Sequence, residues 1–296
     1  MLARMDLPRP GIAEDAPALA EQRDEVGLVG VFDGLGGAGA RAVDGEDGRR
    51  SSAYYAARSA RAAVAERFAA GRVDPSAAAR ELSRAIAGAL AERHAASPPI
   101  PGLVRSRLIR SFPTTAALLM AAPGEDATQA LAMWAGDSRC YAMTPGAGLQ
   151  QLSRDDSAGG CDAEQGEGAR MTNVLCADRP GRLNGAARRI GGPALLFAAT
   201  DGAYACFSSP MHFELALLDA LANAACEEQW TAAIAAQVAP RADDDVSLAA
   251  MFVGWRSIPA AAACFAPRRE RLRGLLRAPV AQAWEHYRPG YLALAA

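Results

Sequence analysis

The chain has 296 residues, 51% hydrophobic and 22% charged, the composition of a globular protein in which one large domain can bury a substantial core. A net charge of -2 gives no electrostatic footprint for nucleic acid or an anionic membrane. All 31 basic residues are arginine, which excludes a lysine nucleophile, Schiff-base chemistry and a P-loop but leaves arginine to hold phosphate bidentately.

A polar stretch carrying Glu14 and Asp15 precedes the first apolar run, Val26 to Phe32, which reads as a strand and stops at Asp33. Gly34, Gly36, Gly37 and Gly39 follow, so the backbone there turns tightly or approaches a ligand closely. Arg41 to Arg50 reads as a charged, glycine-bearing loop. The spacing of Tyr54, Ala57, Ala60, Val64 and Phe68 predicts a helix from Ser51 to about Ala70, and Asp74-Pro75-Ser76 starts a second that runs to about His94. Pro98, Pro99 and Pro101 break the chain before a third segment.

Strands then dominate. Thr114 to Ala122, Ala130 to Ala135 and Arg139 to Met143 have hairpin-like spacing, and Leu149 to Leu152 continues the meander. Ser153 to Arg170 is polar and acidic and reads as a mobile surface loop. Ala194 to Thr200 reads as a buried strand ending at Asp201, two helices follow (Met211 to Cys226, Glu228 to Val238), and Val246 to Trp255 closes the pattern. This order suggests antiparallel sheets with helices layered outside, an α+β sandwich. After residue 257 the pattern changes. Arginines interleave with leucines, then Trp284, Tyr287 and Tyr291 recur at helical spacing. Residues 258–296 therefore read as a C-terminal helical extension to a 1–257 domain, packing on it or docking a partner. Six widely spaced cysteines, with no C-x-x-C, no signal peptide and no spanning run, predict reduced thiols in a cytoplasm.

The most informative residues are acidic: Glu14-Asp15, Asp33, Asp201 and the Asp243-Asp244-Asp245 run, at least three of these groups adjoining a predicted strand. A carboxylate at the end of a buried strand is costly unless something positive lies opposite. Several such ends meeting would make an all-oxygen site for Mg²⁺ or Mn²⁺. In the Asp243-Asp244-Asp245 run two of the three residues read as solvated.

In order along the chain, these stretches resemble the motifs of the metal-dependent protein phosphatases, the type 2C serine/threonine family. Glu14-Asp15-Ala16 resembles the family's N-E-D-A, Val31 to Gly37 its D-G-x-G-G, and Thr114-Thr115 its G-T-T. Ala135 to Tyr141 resembles G-D-S-R-x-Y, Leu149 to Ser157 resembles L-x-Q-L-T-x-D-H, Leu195 to Gly202 resembles L-L-x-x-S-D-G, and Asp244 to Ser247 resembles D-N-x-[ST]. The resemblance implies a four-layer α-β-β-α sandwich of two antiparallel sheets flanked by helices. It implies hydrolysis of phosphoserine and phosphothreonine by a hydroxide bridging two Mn²⁺ or Mg²⁺ ions, with a third, weaker ion. It assigns Asp33 to both metals, the Gly34 carbonyl to the second, Asp201 and Asp244 to the first, Glu14 and Asp15 to the second directly or through waters, and Asp137 with Asp201 to the third.

The departures from the pattern are specific. The family's phosphate-binding arginine falls on Pro10, which makes Arg9, one residue further from Glu14, the substitute. Asp156 stands where the family has His, and Leu35 where animal members carry a candidate acid. The implied partner is a phosphoprotein, a serine/threonine kinase or a kinase target, and the expected state is a monomer. The alternative reading is a weakly catalytic pseudophosphatase acting as a regulatory binding module. A phosphodiesterase or other two-metal hydrolase fits the motifs less well.

Overall fold

The computed structural model describes residues 1–37, 41–71, 73–97, 110–157, 171–179 and 181–295. The expected segment after Pro101 and most of the loop expected from Ser153 to Arg170 lie outside these residues. Twelve strands and seven helices are formed by the described residues. One five-stranded antiparallel sheet has the order β1 (Leu2–Leu7), β12 (Val246–Val253), β11 (Ala194–Ala199), β8 (Arg139–Thr144), β9 (Gly148–Gln151). The other runs β10 (Asn184–Gly191), β7 (Ala127–Ala135), β6 (Ala116–Ala122), β3 (Val26–Phe32), β2 (Ala16–Arg23).

The sheets face each other across a layer rich in small side chains. Ala18, Ala117, Ala132, Ala142, Ala198 and Ala249 interleave there with Val29, Leu119, Leu196 and Met251. Helices α1 (Ser52–Ala69) and α2 (Ala78–Ala96) cover the second sheet through Tyr55, Val64, Leu82 and Ile86. The first sheet is covered by α4 (Pro210–Ala222), α5 (Glu227–Val238), α6 (Ile258–Leu275) and α7 (Val280–Tyr291) through Phe213, Leu217, Trp230 and Phe265. The result is the expected four-layer sandwich. No described helix is long and apolar enough to cross a membrane.

Two readings of the sequence are corrected, and one strand it did not predict is added. The polar N-terminus is strand: β1 pairs with β12 and β2 with β3, and their alternating burial spans only one side of each strand. Arg41 to Arg50 is not a loop but a hairpin, β4 (Ala42–Gly45) and β5 (Gly48–Ser51), turned through Gly48 at φ +83°. Strand β10, which carries two arginines and two glycines, gave no apolar signal and is held at the sheet edge by β7.

Helices α6 and α7 bury Ile258, Ala261, Phe265, Leu272, Ala283, Tyr287 and Tyr291 in the outer core. Glu214 of α4 is fully buried (0% exposed) and satisfied from both helices. Arg268 donates to its two oxygens at 2.7 and 2.9 Å, and the Tyr287 hydroxyl donates at 2.6 Å. One turn further along α7, Tyr291 Oη donates to Gln151 of β9 at 2.8 Å, and beyond the helix Arg188 of β10 donates to the Leu294 carbonyl at 2.9 Å. The end of the chain thus touches an edge strand of each sheet. Full burial of each aromatic contributes about 1.5–3 kcal/mol, so a chain ending at Ser257 should melt at least 10 °C lower, roughly the effect of a few kcal/mol on a domain of this size. Thermal unfolding checks this, and an unchanged melting temperature contradicts it.

Candidate metal centre

Strand register gathers the acidic residues at one end of the sandwich. Ala16 pairs with Phe32, which brings Asp15 beside Asp33. Val31 pairs with Ala117, and Ala116 with Ala135, so the turn carrying Asp137 lies at the same end. In the facing sheet Arg139 pairs with Ala199 and Ala199 with Leu248, which places Asp201 and Asp244 just beyond the same strand ends.

Short polar residues fix the backbone there. Thr114 Oγ1 and the Thr115 N–H both donate to the Asp33 carbonyl, at 2.7 and 2.9 Å. The Thr115 and Ser138 hydroxyls meet at 2.7 Å, linking Asp33 to the Asp137 turn. Gly136 in that turn has φ +93°, and a Cβ on it would lie 2.6 Å from the Thr115 methyl, so only glycine fits. Arg139 donates to both Asp155 oxygens, at 2.8 and 2.6 Å, and stacks 4.1 Å over the Tyr204 ring. The Tyr204 hydroxyl donates in turn to the Asp137 carbonyl at 2.9 Å.

Glu14 is held by Ser51, which donates to its carboxylate while capping α1 by accepting from the Tyr54 N–H at 3.1 Å. A Cβ at Gly36 would run into the Glu14 carboxylate, and one at Gly34 would come within 2.8 Å of the Glu14 carbonyl. The glycines after Asp33 therefore permit a close approach, as their number suggested. The Gly34 carbonyl accepts from the Gly36 N–H at 2.8 Å.

Burial, then mutual repulsion, sets the charge state. Asp33 is pushed well above the usual carboxylate range by burial and by Asp15, Asp201, Asp137 and Asp244. Asp15 is raised to about 8 by burial, with Asp245 and Asp201 adding to the shift. Asp137 is raised to about 7 by burial and by Asp201, and Asp201 is raised by burial and by Asp244. Glu14 is raised by burial, against the Ser51 hydrogen bond. Asp137 Oδ1 is buried with no hydrogen-bond partner.

The roles of two residues, Asp245 and Asp156, were missed from sequence. In the aspartate run Asp243 and Asp244 are both exposed, and the buried one is Asp245, which is 4% exposed. Asp245 accepts backbone N–H groups from Arg9, Glu14 and Asp15, while Asp244 acts on Asp33 and Asp201 from the rim. Asp156 is a structural acceptor, taking the Gly136 N–H at 3.1 Å and the Asn173 and Asn184 amides at 2.8 and 3.0 Å. The Arg9 side chain is exposed.

With this geometry in place, the sequence model of the protein phosphatase 2C family matches residues 11–239. The chain belongs to the protein phosphatase 2C family. That family consists of serine/threonine protein phosphatases, and the chain has their fold. It is 15% identical to the serine/threonine phosphatase Stp1 from Staphylococcus aureus, with a TM-score of 0.59 over 85% of this chain and 94% of that one. It is 18% identical to the Mycobacterium tuberculosis serine/threonine phosphatase PstP/Ppp, with a TM-score of 0.56 over 84% and 97%. A bacterial serine phosphatase gives 16% identity and a TM-score of 0.59 over 85% and 97%. No curated protein matches the chain.

Phosphatases of this family depend on divalent cations, and the residues of this chain fit such ions in chemistry. The cluster offers only oxygen donors, an excess of buried negative charge, and an orphaned Asp137 oxygen. Among the described residues no three of these side chains converge at metal-ligating spacing.

Without cations, the raised groups hold protons that the unfolded chain has already lost. Their cost to stability is absent below the ordinary value of 3.8 and grows as pH rises toward about 8. The cation-free protein should therefore lose melting temperature as pH is raised from 5 to 8, and Mn²⁺ should restore it at pH 8, as differential scanning calorimetry would register. A melting temperature that rises over that range in EDTA would contradict the assignment of a repulsive cluster.

Proposed function

We propose that this chain hydrolyses phosphoserine and phosphothreonine in proteins with the help of bound Mn²⁺ or Mg²⁺. The observation that carries the reading is the convergence of carboxyl groups from both sheets at one end of the sandwich, each raised by burial and several by one another. Such a cluster suits cations better than protons at neutral pH. Two ions would be held by Asp33, the Gly34 carbonyl, Glu14, Asp15, Asp201 and Asp244, and a third, weaker one by Asp137 with Asp201. Bound there, the ions would supply an acidified water for in-line attack on phosphorus and neutralise charge on the phosphoryl oxygens.

The chain's own residues do the rest. Arg9 would pair with the phosphate oxygens and orient the ester, because a guanidinium matches their geometry. Leu35 carries no proton, so the departing serine or threonine oxygen takes its proton from water. Residues 1–257 would form the catalytic unit, with α6 and α7 as its C-terminal support. A phosphorylated kinase or kinase target in a cytoplasm is the substrate class that suits such an enzyme, acting as a monomer.

The displacement of the arginine and the exposure of Asp244 favour one rival, a regulatory module with little turnover. Hydrolysis of p-nitrophenyl phosphate and of a phosphothreonine peptide separates the two. Phosphate release that requires Mn²⁺ or Mg²⁺ and stops in EDTA supports the enzyme. No release by folded, Mn²⁺-saturated protein supports the module. In the enzyme, Asp33→Asn and Asp201→Asn should each lower kcat by about a hundredfold or more, the consequence of losing a metal ligand. Arg9→Ala should raise KM and weaken transition-state binding by about 1.5–3 kcal/mol, with metal affinity unchanged. Near-normal kinetics in any of the three would remove that residue from its role.

A further inference from the structure

Arg9 stands between two prolines, and this restricts what its backbone can do. Neither Pro8 nor Pro10 has an N–H, so Arg9 carries the one amide donor of the three residues. That donor is bound to Asp245 Oδ1 at 2.5 Å. Pro10 and Gly11 then form the corner of a turn. Gly11 has φ +83°, and the Ile12 N–H donates to the Arg9 carbonyl at 3.3 Å. Proline followed by a left-handed glycine is the signature of a type II turn. The turn brings the chain back to the same carboxylate, whose Oδ2 accepts from the Glu14 and Asp15 amides at 2.5 and 3.1 Å.

We propose that Asp245 is a positioning residue for phosphate recognition. By gripping the amides of Arg9, Glu14 and Asp15 together, it fixes where the Arg9 guanidinium stands relative to the acidic cluster. The inference rests on the reading of Arg9 as the phosphate ligand. Its physical basis is a count of acceptors: three N–H groups meet two carboxylate oxygens, and each oxygen has two lone pairs. Asparagine, which the related motif carries at this position, has one acceptor oxygen, and its NH₂ would face an amide donor. Proline in the arginine's usual place makes the turn, and the turn moves the arginine one residue outward. The carboxylate then holds the displaced loop in place.

Asp245 is itself immobilised. A Cβ on Gly202 would lie 2.0 Å from its carbonyl oxygen, so the chain before β12 lies directly against the backbone at the start of α3 (Asp201–Tyr204). Two residues on, the Ser247 hydroxyl donates to the Asp15 carboxylate at 2.9 Å. The start of β12 thus holds the N-terminal loop by backbone and by side chain.

The test uses the full-length protein in two measurements. Amide hydrogen exchange without cations should show Arg9, Glu14 and Asp15 exchanging about tenfold faster or more in Asp245→Asn, the scale of one lost hydrogen bond to a charged group. Amides of β11 should stay protected, which shows that the variant is folded. With saturating Mn²⁺, Asp245→Asn should raise KM for a phosphothreonine peptide by about tenfold with a smaller change in kcat. Introduced into Arg9→Ala, the same substitution should add less than about twofold, because coupled residues are not additive. Unchanged exchange at the three amides, or full additivity in the double variant, would overturn the proposal. If the wild-type protein turns over no phosphopeptide, the functional reading fails, while exchange and the affinity for inorganic phosphate still decide the role of Asp245.

Discussion

Carboxylates at the ends of strands from two different sheets repel each other, and burial makes each one harder to ionise. The sandwich brings them together because register leaves no other place for them: Asp15 and Asp33 flank one strand pair, Asp137 lies in the next turn, and Asp201 and Asp244 follow and precede strands of the facing sheet. Much of the surrounding structure serves to hold this arrangement. The Thr114-Thr115 pair fixes the Asp33 carbonyl, Ser51 fixes Glu14, and the Arg139–Asp155 pair lies beside Asp137. Glycines at 34, 36, 136 and 202 stand where any side chain would meet a neighbour. A site that is unfavourable without a ligand gains the most when cations bind, and that links the fold's stability to its occupancy.

The C-terminal helices take part in the same construction at one remove. Tyr291 donates to Gln151, whose amide donates to the Ser153 carbonyl at 2.8 Å, and the Ser153 hydroxyl accepts from the Cys140 N–H at 3.0 Å. Cys140 is the residue after Arg139. The aromatic stripe of α7 therefore supports β8, the strand that leaves the acidic turn, in addition to covering apolar surface. On the outer side, the burial of Glu214 would be costly alone, and its three donors come from α6 and α7. These helices and the outer face of the first sheet form one packed unit.

Much of this was legible in the sequence because the signals were local. Val26 to Phe32 has the apolar run of a central strand and forms one with those bounds, and Tyr54 to Phe68 has the spacing of a helix face. Asp33, Asp201 and the aspartate run are legible for the same reason: each adjoins an apolar run. What escaped detection depends on partners far along the chain. Strands β1 and β2 alternate polar and apolar residues among charges and are specified by β12 and β3. The hairpin from Ala42 to Ser51 carries almost no apolar residues, and β10 is recruited by β7. Within Asp243-Asp244-Asp245, sequence gives no measure of which side chain turns inward. That depends on amides of residues 9, 14 and 15, more than two hundred positions away. The Pro10-Gly11 pair was a readable turn signal that explains the shifted arginine, and it becomes informative once its anchor is known.

The central claim is that the carboxylates at the shared strand ends form a binding site for divalent cations. Diffraction from crystals grown with Mn²⁺, recorded near the manganese absorption edge, tests it most directly. The account predicts anomalous peaks within ligand distance of the Asp33 carboxylate, with Asp201 and Asp244 on one side and the Gly34 carbonyl on the other. Crystals saturated with Mn²⁺ that show no peak near Asp33, or peaks only at surface carboxylates elsewhere, would contradict it.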